Sequence, residues 1–204
     1  VTGFGRTGEW FAMDHYDIVP DIMTLAKGIA SSYIPFGAVA VSAEINAPFE
    51  SGETHFIHGF TNGGHPLGCA AGSELIDIIR DENLLENCRK QSEVLFSYRE
   101  QLLAHPTVRD VRGWGLMMVL ELIKDKESLD FFDSSLQAEK LYSAITLKHG
   151  LVMYGSLYGP RRQAAFKRGL PSWISPPLTV SGEEMHDLVG RLDNALSEWE
   201  SIVL

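Results

Sequence analysis

The chain has 204 residues, 45% of them hydrophobic and 22% charged, which suits one globular domain or two small ones, each with its own core. A formal net charge of −10 argues against nucleic acid and anionic membrane surfaces as partners, and no apolar run approaches membrane-spanning length. Two scattered cysteines, Cys69 and Cys88, exclude a disulfide framework or a cysteine zinc site and point to a reducing, cytoplasmic compartment.

Val1 to Gly8 packs three glycines and two threonines into eight residues, a loop able to approach a ligand closely or to take positive φ. It lacks the spacing of a dinucleotide fingerprint, so a plain tight loop is the alternative. His15, in the aromatic stretch Trp10 to Tyr16, has no second metal ligand beside it. Asp21 to Ala26 reads as a short buried strand that ends on Lys27. A lysine at such a tip is costly unless its amine is paired, neutral or covalently occupied. Gly28, Ala30, Ser31 and Ser32 leave room beside it, as a Schiff-base lysine for an aldehyde cofactor requires. Taken alone, the stretch reads more simply as a surface lysine opening a loop.

Phe36 to Ser42 is a second predicted buried strand of small and β-branched residues. Thr54 to Pro66 then carries His55, His58 and His65 among Phe60, Thr61, Asn62, Gly63 and Gly64. No cysteine or acidic ligand completes a metal set there. Hydroxyl, amide and backbone N–H groups ahead of a helix starting near Pro66 suit an anion such as phosphate better. Pro66 to Arg80 reads as a closely packed internal helix. Asn83 to Ala104 reads as one amphipathic helix with Leu84, Cys88, Leu95, Tyr98 and Leu102 on its buried face, ended by His105-Pro106.

A domain boundary after that helix divides the chain into 1–105 and 106–204. Val108 to Leu122 predicts a strand pair or one long bent strand, Ser134 to His149 a helix closed by Gly150, and Leu151 to Tyr154 another strand. The loop from Gly155 to Ser172 gathers Arg161, Arg162, Lys167 and Arg168 in an otherwise acidic chain. It is either a solvated basic loop or a carboxylate-binding mouth, since a guanidinium fork matches a carboxylate. Ser181 and Glu184 have capping-box spacing for a last helix whose buried stripe is Met185, Leu188, Val189, Leu192, Ala195, Leu196 and Trp199.

In sequence, TGFGRTGEWF, PDIMTLAKGIA, PFGAVAVS, HGFTNGGHPLGCAAG, VRGWGLMMVLEL and ISPPLTVSGEE resemble the class III, ω-transaminase-like aminotransferases, along essentially the whole chain. The resemblance implies an α/β, fold-type-I enzyme dependent on pyridoxal 5′-phosphate: 1–105 would be the C-terminal part of a large, mostly parallel-sheet cofactor domain, and 106–204 a small α+β domain. It implies that Lys27 forms the internal aldimine and carries the proton shift between substrate and cofactor carbons. Thr61, next to Phe60 in the Gly-Phe-Thr motif, would bind the cofactor phosphate from the neighbouring subunit of a homodimer. Arg161 and Arg162 fall where some members hold a substrate carboxylate. Asn62-Gly63-Gly64 departs from the family's usual Tyr-Ser-Gly.

The implied reaction is ping-pong transfer of an amino group from an amine or ω-amino acid to a keto acid such as pyruvate or 2-oxoglutarate. An aminomutase or decarboxylase on the same scaffold is the alternative chemistry. In the family an Asp-Glu pair directly precedes the first motif, and a Gly-Ser phosphate turn and a ring-stacking aromatic lie further upstream. The resemblance therefore also carries the expectation of a C-terminal portion that is catalytically silent by itself.

Overall fold

Two strands, β1 (Ile22–Ala26) and β2 (Gly37–Val41), pair antiparallel with Ile22 opposite Val41 and Ala26 opposite Gly37. They belong to the first of two compact units, Val1–Glu86 and Asn87–Leu204, in a computed structural model that describes residues 1–132, 135–153 and 169–204. The apolar composition of β1 and β2 predicts buried strands, yet their residues are exposed or half-buried. Burial depends on neighbours, and among the described residues each strand has only the other as a sheet partner. After β2, Ser42 starts helix α1 (Ala43–Glu50), its hydroxyl accepting from the Ile45 N–H at 3.4 Å as an N-cap.

Helix α2 (Pro66–Asp81) begins on a proline, whose missing N–H costs nothing at a helix start. Contrary to its prediction as an internal helix, α2 buries only Gly68, Gly72 and Ile79. That stripe is nevertheless tight. A Cβ added at Gly68 would stand 2.7 Å from Cδ2 of Phe36, and one at Gly72 would stand 3.3 Å from the Ile29 carbonyl oxygen. Glycines therefore let the helix backbone close on the β1–β2 connection.

The second unit is built on an antiparallel sheet in the order β3-β4-β5: β3 (Val108–Gly113), β4 (Met118–Leu122) and β5 (Leu170–Ile174). Every strand pairing among the described residues is thus antiparallel. The strand pair predicted over Val108 to Leu122 is present, but Leu151–Met153 forms no strand and Tyr154 lies outside the described residues. The place beside β4 is taken by β5, which begins within the loop predicted from Gly155 to Ser172.

The single helix predicted over Asn83 to Ala104 is two, α3 (Leu84–Ser97) and α4 (Arg99–Ala104), parted at Tyr98. Their stripe still works as expected, with Cys88, Leu95 and Leu102 fully buried in the second unit's core. Consequently the packing division falls at 86/87, ahead of the boundary expected near 105.

Helix α5 (Ser135–Lys148) ends before Gly150, which takes φ +78° as a C-terminal cap. Helix α6 (Gly182–Val203) opens on the predicted capping box: Ser181 Oγ accepts from the Glu184 N–H at 3.2 Å, and Glu184 accepts from the Ser181 N–H at 2.8 Å. Trp199 of α6 sits at the centre of the core. Its ring lies 5.1 Å from Phe132 and 5.3 Å from Tyr142, and its Nε1–H donates to the Ala138 carbonyl at 3.2 Å. Around it Met118, Leu120, Leu122, Met185 and Leu192 are wholly excluded from water. Each such side chain contributes about 1.5–3 kcal/mol of burial.

Candidate active site

Lys27 follows β1 directly and opens a 3-10 turn, Lys27–Ile29. It is exposed, not at the tip of a buried strand as its apolar approach predicts, because β1 itself is uncovered. Its backbone takes φ 54°, and Phe4, Ser31 and Ser32 also take positive φ, at 55°, 46° and 63°. Non-glycine residues in that region cost about 1–3 kcal/mol each and persist where the surroundings enforce them. Here the enforcing contact is visible. Phe4 is buried, and a Cβ at Gly28 would meet its Cβ at 3.0 Å and its Cδ2 at 3.1 Å.

The Val1–Gly8 loop is thereby locked onto the backbone beside Lys27. It is closed on itself by the Phe4 N–H donating to the Trp10 carbonyl at 2.6 Å and by His15 Nε2 against the Thr7 carbonyl at 3.1 Å. Among the described residues the Lys27 amine has no hydrogen-bond or ion-pair partner. An accessible, unpaired primary amine on a sterically fixed backbone is fit to hold a carbonyl compound covalently.

Thr61 stands at the corner of a turn in which the Gly63 N–H donates to the Phe60 carbonyl at 2.9 Å and Gly64 takes φ +63°. Thr61 is exposed and Phe60 is 69% exposed, following His58 and Phe56 in a row of aromatic contacts, edge-on between Phe56 and His58 and tilted between His58 and Phe60. The turn leads straight into α2, and α2 is fastened through Gly72 to the Ile29 carbonyl of the Lys27 turn. The two motifs are thus carried on one packed unit. Arg161 and Arg162 lie outside the described residues. Among the described residues no group of three or more His, Cys, Asp or Glu side chains is gathered closely enough to hold a metal ion. Phe4 and Phe36 were missed as site-building residues. The glycines they press against (Gly28, Gly68 and Gly72) were the only trace of them in the sequence.

The family model for class-III aminotransferases matches residues 1–196. The chain belongs to the class-III aminotransferases. It is 35% identical to a putrescine–pyruvate aminotransferase of Pseudomonas aeruginosa over 205 aligned positions, covering all of this chain and 42% of that protein. It is 36% identical to a diaminobutyrate–2-oxoglutarate transaminase of Halomonas elongata, covering 97% of this chain and 41% of that protein. Among solved structures, an (S)-enantioselective ω-transaminase from Thermomicrobium roseum superposes with a TM-score of 0.84 at 37% identity, over 97% of this chain and 42% of the other.

The fold is therefore α/β and of fold type I, and this class-III aminotransferase chain spans about 42% of the length of the curated relatives it matches. Among the described residues no helix is long and apolar enough to cross a membrane.

Proposed function

We propose that this class-III aminotransferase chain belongs to a pyridoxal 5′-phosphate-dependent transaminase that moves an amino group from an amine or ω-amino acid to pyruvate or 2-oxoglutarate by a ping-pong mechanism. The observation that carries the reading is the unpaired amine of Lys27 on its strained backbone at the end of β1. The names of the relatives support the reaction class, with a diamine and pyruvate in one and diaminobutyrate and 2-oxoglutarate in the other.

The donor set fits the cofactor, offering one free primary amine for an aldehyde, and the exposed Thr61 hydroxyl ahead of the α2 N-terminus for a phosphate. When bound, pyridoxal phosphate supplies an aldehyde that condenses with amines and a ring that withdraws electrons from the adjacent C–H bond. Lys27 would hold the cofactor's aldehyde through Nζ and would accept and return a proton at that same atom. Thr61 Oγ would donate to a phosphate oxygen, with Phe60 beside it in the same turn. Arg161 and Arg162 recognise a substrate carboxylate. Thr61 and Phe60 act across a homodimer interface, a reading supported by the exposed Phe56 and Ile57, 72% and 96% accessible, beside them. Residues 1–105 form the C-terminal part of the large cofactor domain and 106–204 the small one, and the enzyme works in the cytoplasm.

The exposed apolar strands favour a second reading for the 204-residue chain taken alone, in which it is catalytically silent: Ile22 and Val39 are 58% and 63% accessible. One assay addresses both. The chain is incubated with pyridoxal phosphate, putrescine and pyruvate, and alanine is measured. Turnover that Lys27→Ala lowers about 10²–10⁴-fold supports transamination through Lys27. Turnover indifferent to that change overturns it, and no turnover from a folded chain supports the silent reading.

A further inference from the structure

In the second unit an imidazole is clamped between two carboxylates. His105 follows the end of α4 and leads into β3. Its Nδ1 lies 2.8 Å from Glu200 Oε2 and its Nε2 lies 3.1 Å from Asp193 Oδ1, both carboxylates coming from α6. The His105 and Glu200 side chains are about nine-tenths buried, at 10% and 9% exposure, while Asp193 is 33% exposed. A neutral imidazole has one N–H and one lone pair, so it can donate to only one carboxylate and must turn its lone pair toward the other. Only the imidazolium, with two N–H donors, satisfies the observed pair of contacts.

The two carboxylates are not equivalent. Glu200 is anchored independently, since its Oε1 accepts from the Thr107 N–H at 3.1 Å and the Thr107 hydroxyl at 2.6 Å. Asp193 has its own second partner, Gln101 Nε2 of α4, at 3.0 Å. A further cation touches the same corner: Lys126 Nζ donates to the carbonyls of Leu103 and His105 at 2.8 Å and 2.9 Å, tying the chain after β4 to the end of α4.

We propose that His105, Glu200 and Asp193 form a proton-operated clasp. As an imidazolium His105 fastens the α4–β3 junction to α6 through both carboxylates, and on losing its proton it keeps Glu200 and releases Asp193. The hydrogen bond to Glu200, working against burial and aided by Asp193, raises the His105 pKa above its ordinary 6.5. Burial alone would raise Glu200, but the bonds from His105 and Thr107 hold it below its ordinary 4.5. The His105 contribution to stability is therefore complete below pH 6.5 and lost as pH rises through the raised value. That of Glu200 is present above 4.5 and lost as pH falls through its depressed value. Between the two the clasp is closed.

The test is a histidine ring-nitrogen NMR titration of the full 204-residue chain from pH 5 to 9, with the His105 signals assigned by loss in H105Q. The expected results are a doubly protonated His105 below pH 6.5, a midpoint above 6.5, and a downward shift of about 1 pH unit in D193N, the low end for an ion pair at this distance. E200Q keeps an oxygen for the Thr107 donors but turns an uncharged amide NH2 toward His105 at a nine-tenths buried position and is the variant at risk of not folding, so D193N, whose site is the more exposed, carries the decision. A midpoint at or below 6.5 in the wild type, or one that D193N leaves unmoved, overturns the clasp; a purely structural histidine would behave in that way.

Discussion

The two units solve opposite problems. Asn87–Leu204 is held by a closed core in which Trp199 is ringed by Phe132 and Tyr142 and every apolar residue of β4 is buried. Val1–Glu86 carries the residues proposed for the chemistry, Lys27 and Thr61, yet its strands are exposed, α2 buries only three residues, and strained φ values gather at Phe4, Lys27, Ser31 and Ser32. Stability and reactivity are thus separated along the chain. The second unit supplies folding energy through burial, and the first spends local conformational energy to hold Lys27 and the turn over 60–64 in fixed backbone.

The sharpest way to break that contrast is to make equivalent changes on both sides. Trp199→Ala removes the largest fully buried side chain of the second core and should cost about 3–5 kcal/mol in urea unfolding. A loss under 1 kcal/mol would mean that the core is not what holds this unit together. Gly113→Ala is expected to be next in size, about 1–3 kcal/mol or more. The position has φ +152°, and an added Cβ would lie 2.0 Å from the Met117 carbonyl oxygen, so the β3–β4 turn must open. Ser181→Ala should cost about 1 kcal/mol by removing the α6 cap, with Ser181→Thr largely restoring it. In the first unit Val39→Ala, at a side chain 63% exposed, should change stability by no more than about 0.5 kcal/mol. Hydrogen exchange on the unaltered chain sharpens the same comparison, with amides of β4 expected to exchange far more slowly than those of β1 and β2.

What the sequence made legible follows the same division. The capping box at Ser181 and Glu184, the α6 stripe and the Gly150 cap are local signals, set by residues three or four apart, and all three are present. Strand β5 was not legible: Pro171 and Ser172 interrupt its apolar pattern, and its partner β4 lies some fifty residues earlier in the chain. Leu151–Met153 shows the converse case, an apolar run with the composition of a strand that pairs with no strand among the described residues.

At the candidate site, the proposal of Lys27 and Thr61 rests on their motifs. The burial assigned to β1 and the desolvation of Lys27 inferred from it fail, because apolar composition reports a need for cover and not its presence. The role of Phe4 was invisible for a related reason. A positive φ on a phenylalanine and its contact with Gly28 are properties of two loops brought together by folding.

The most direct measurement is where pyridoxal 5′-phosphate attaches. The folded chain is mixed with the cofactor, reduced with borohydride and digested, and the modified peptide is identified by mass spectrometry. Modification concentrated on Lys27, and abolished by Lys27→Ala, is the predicted result. An unmodified Lys27 peptide from a chain that circular dichroism shows to be folded, or label spread evenly over exposed lysines such as Lys148, would contradict the assignment of Lys27 as the cofactor lysine.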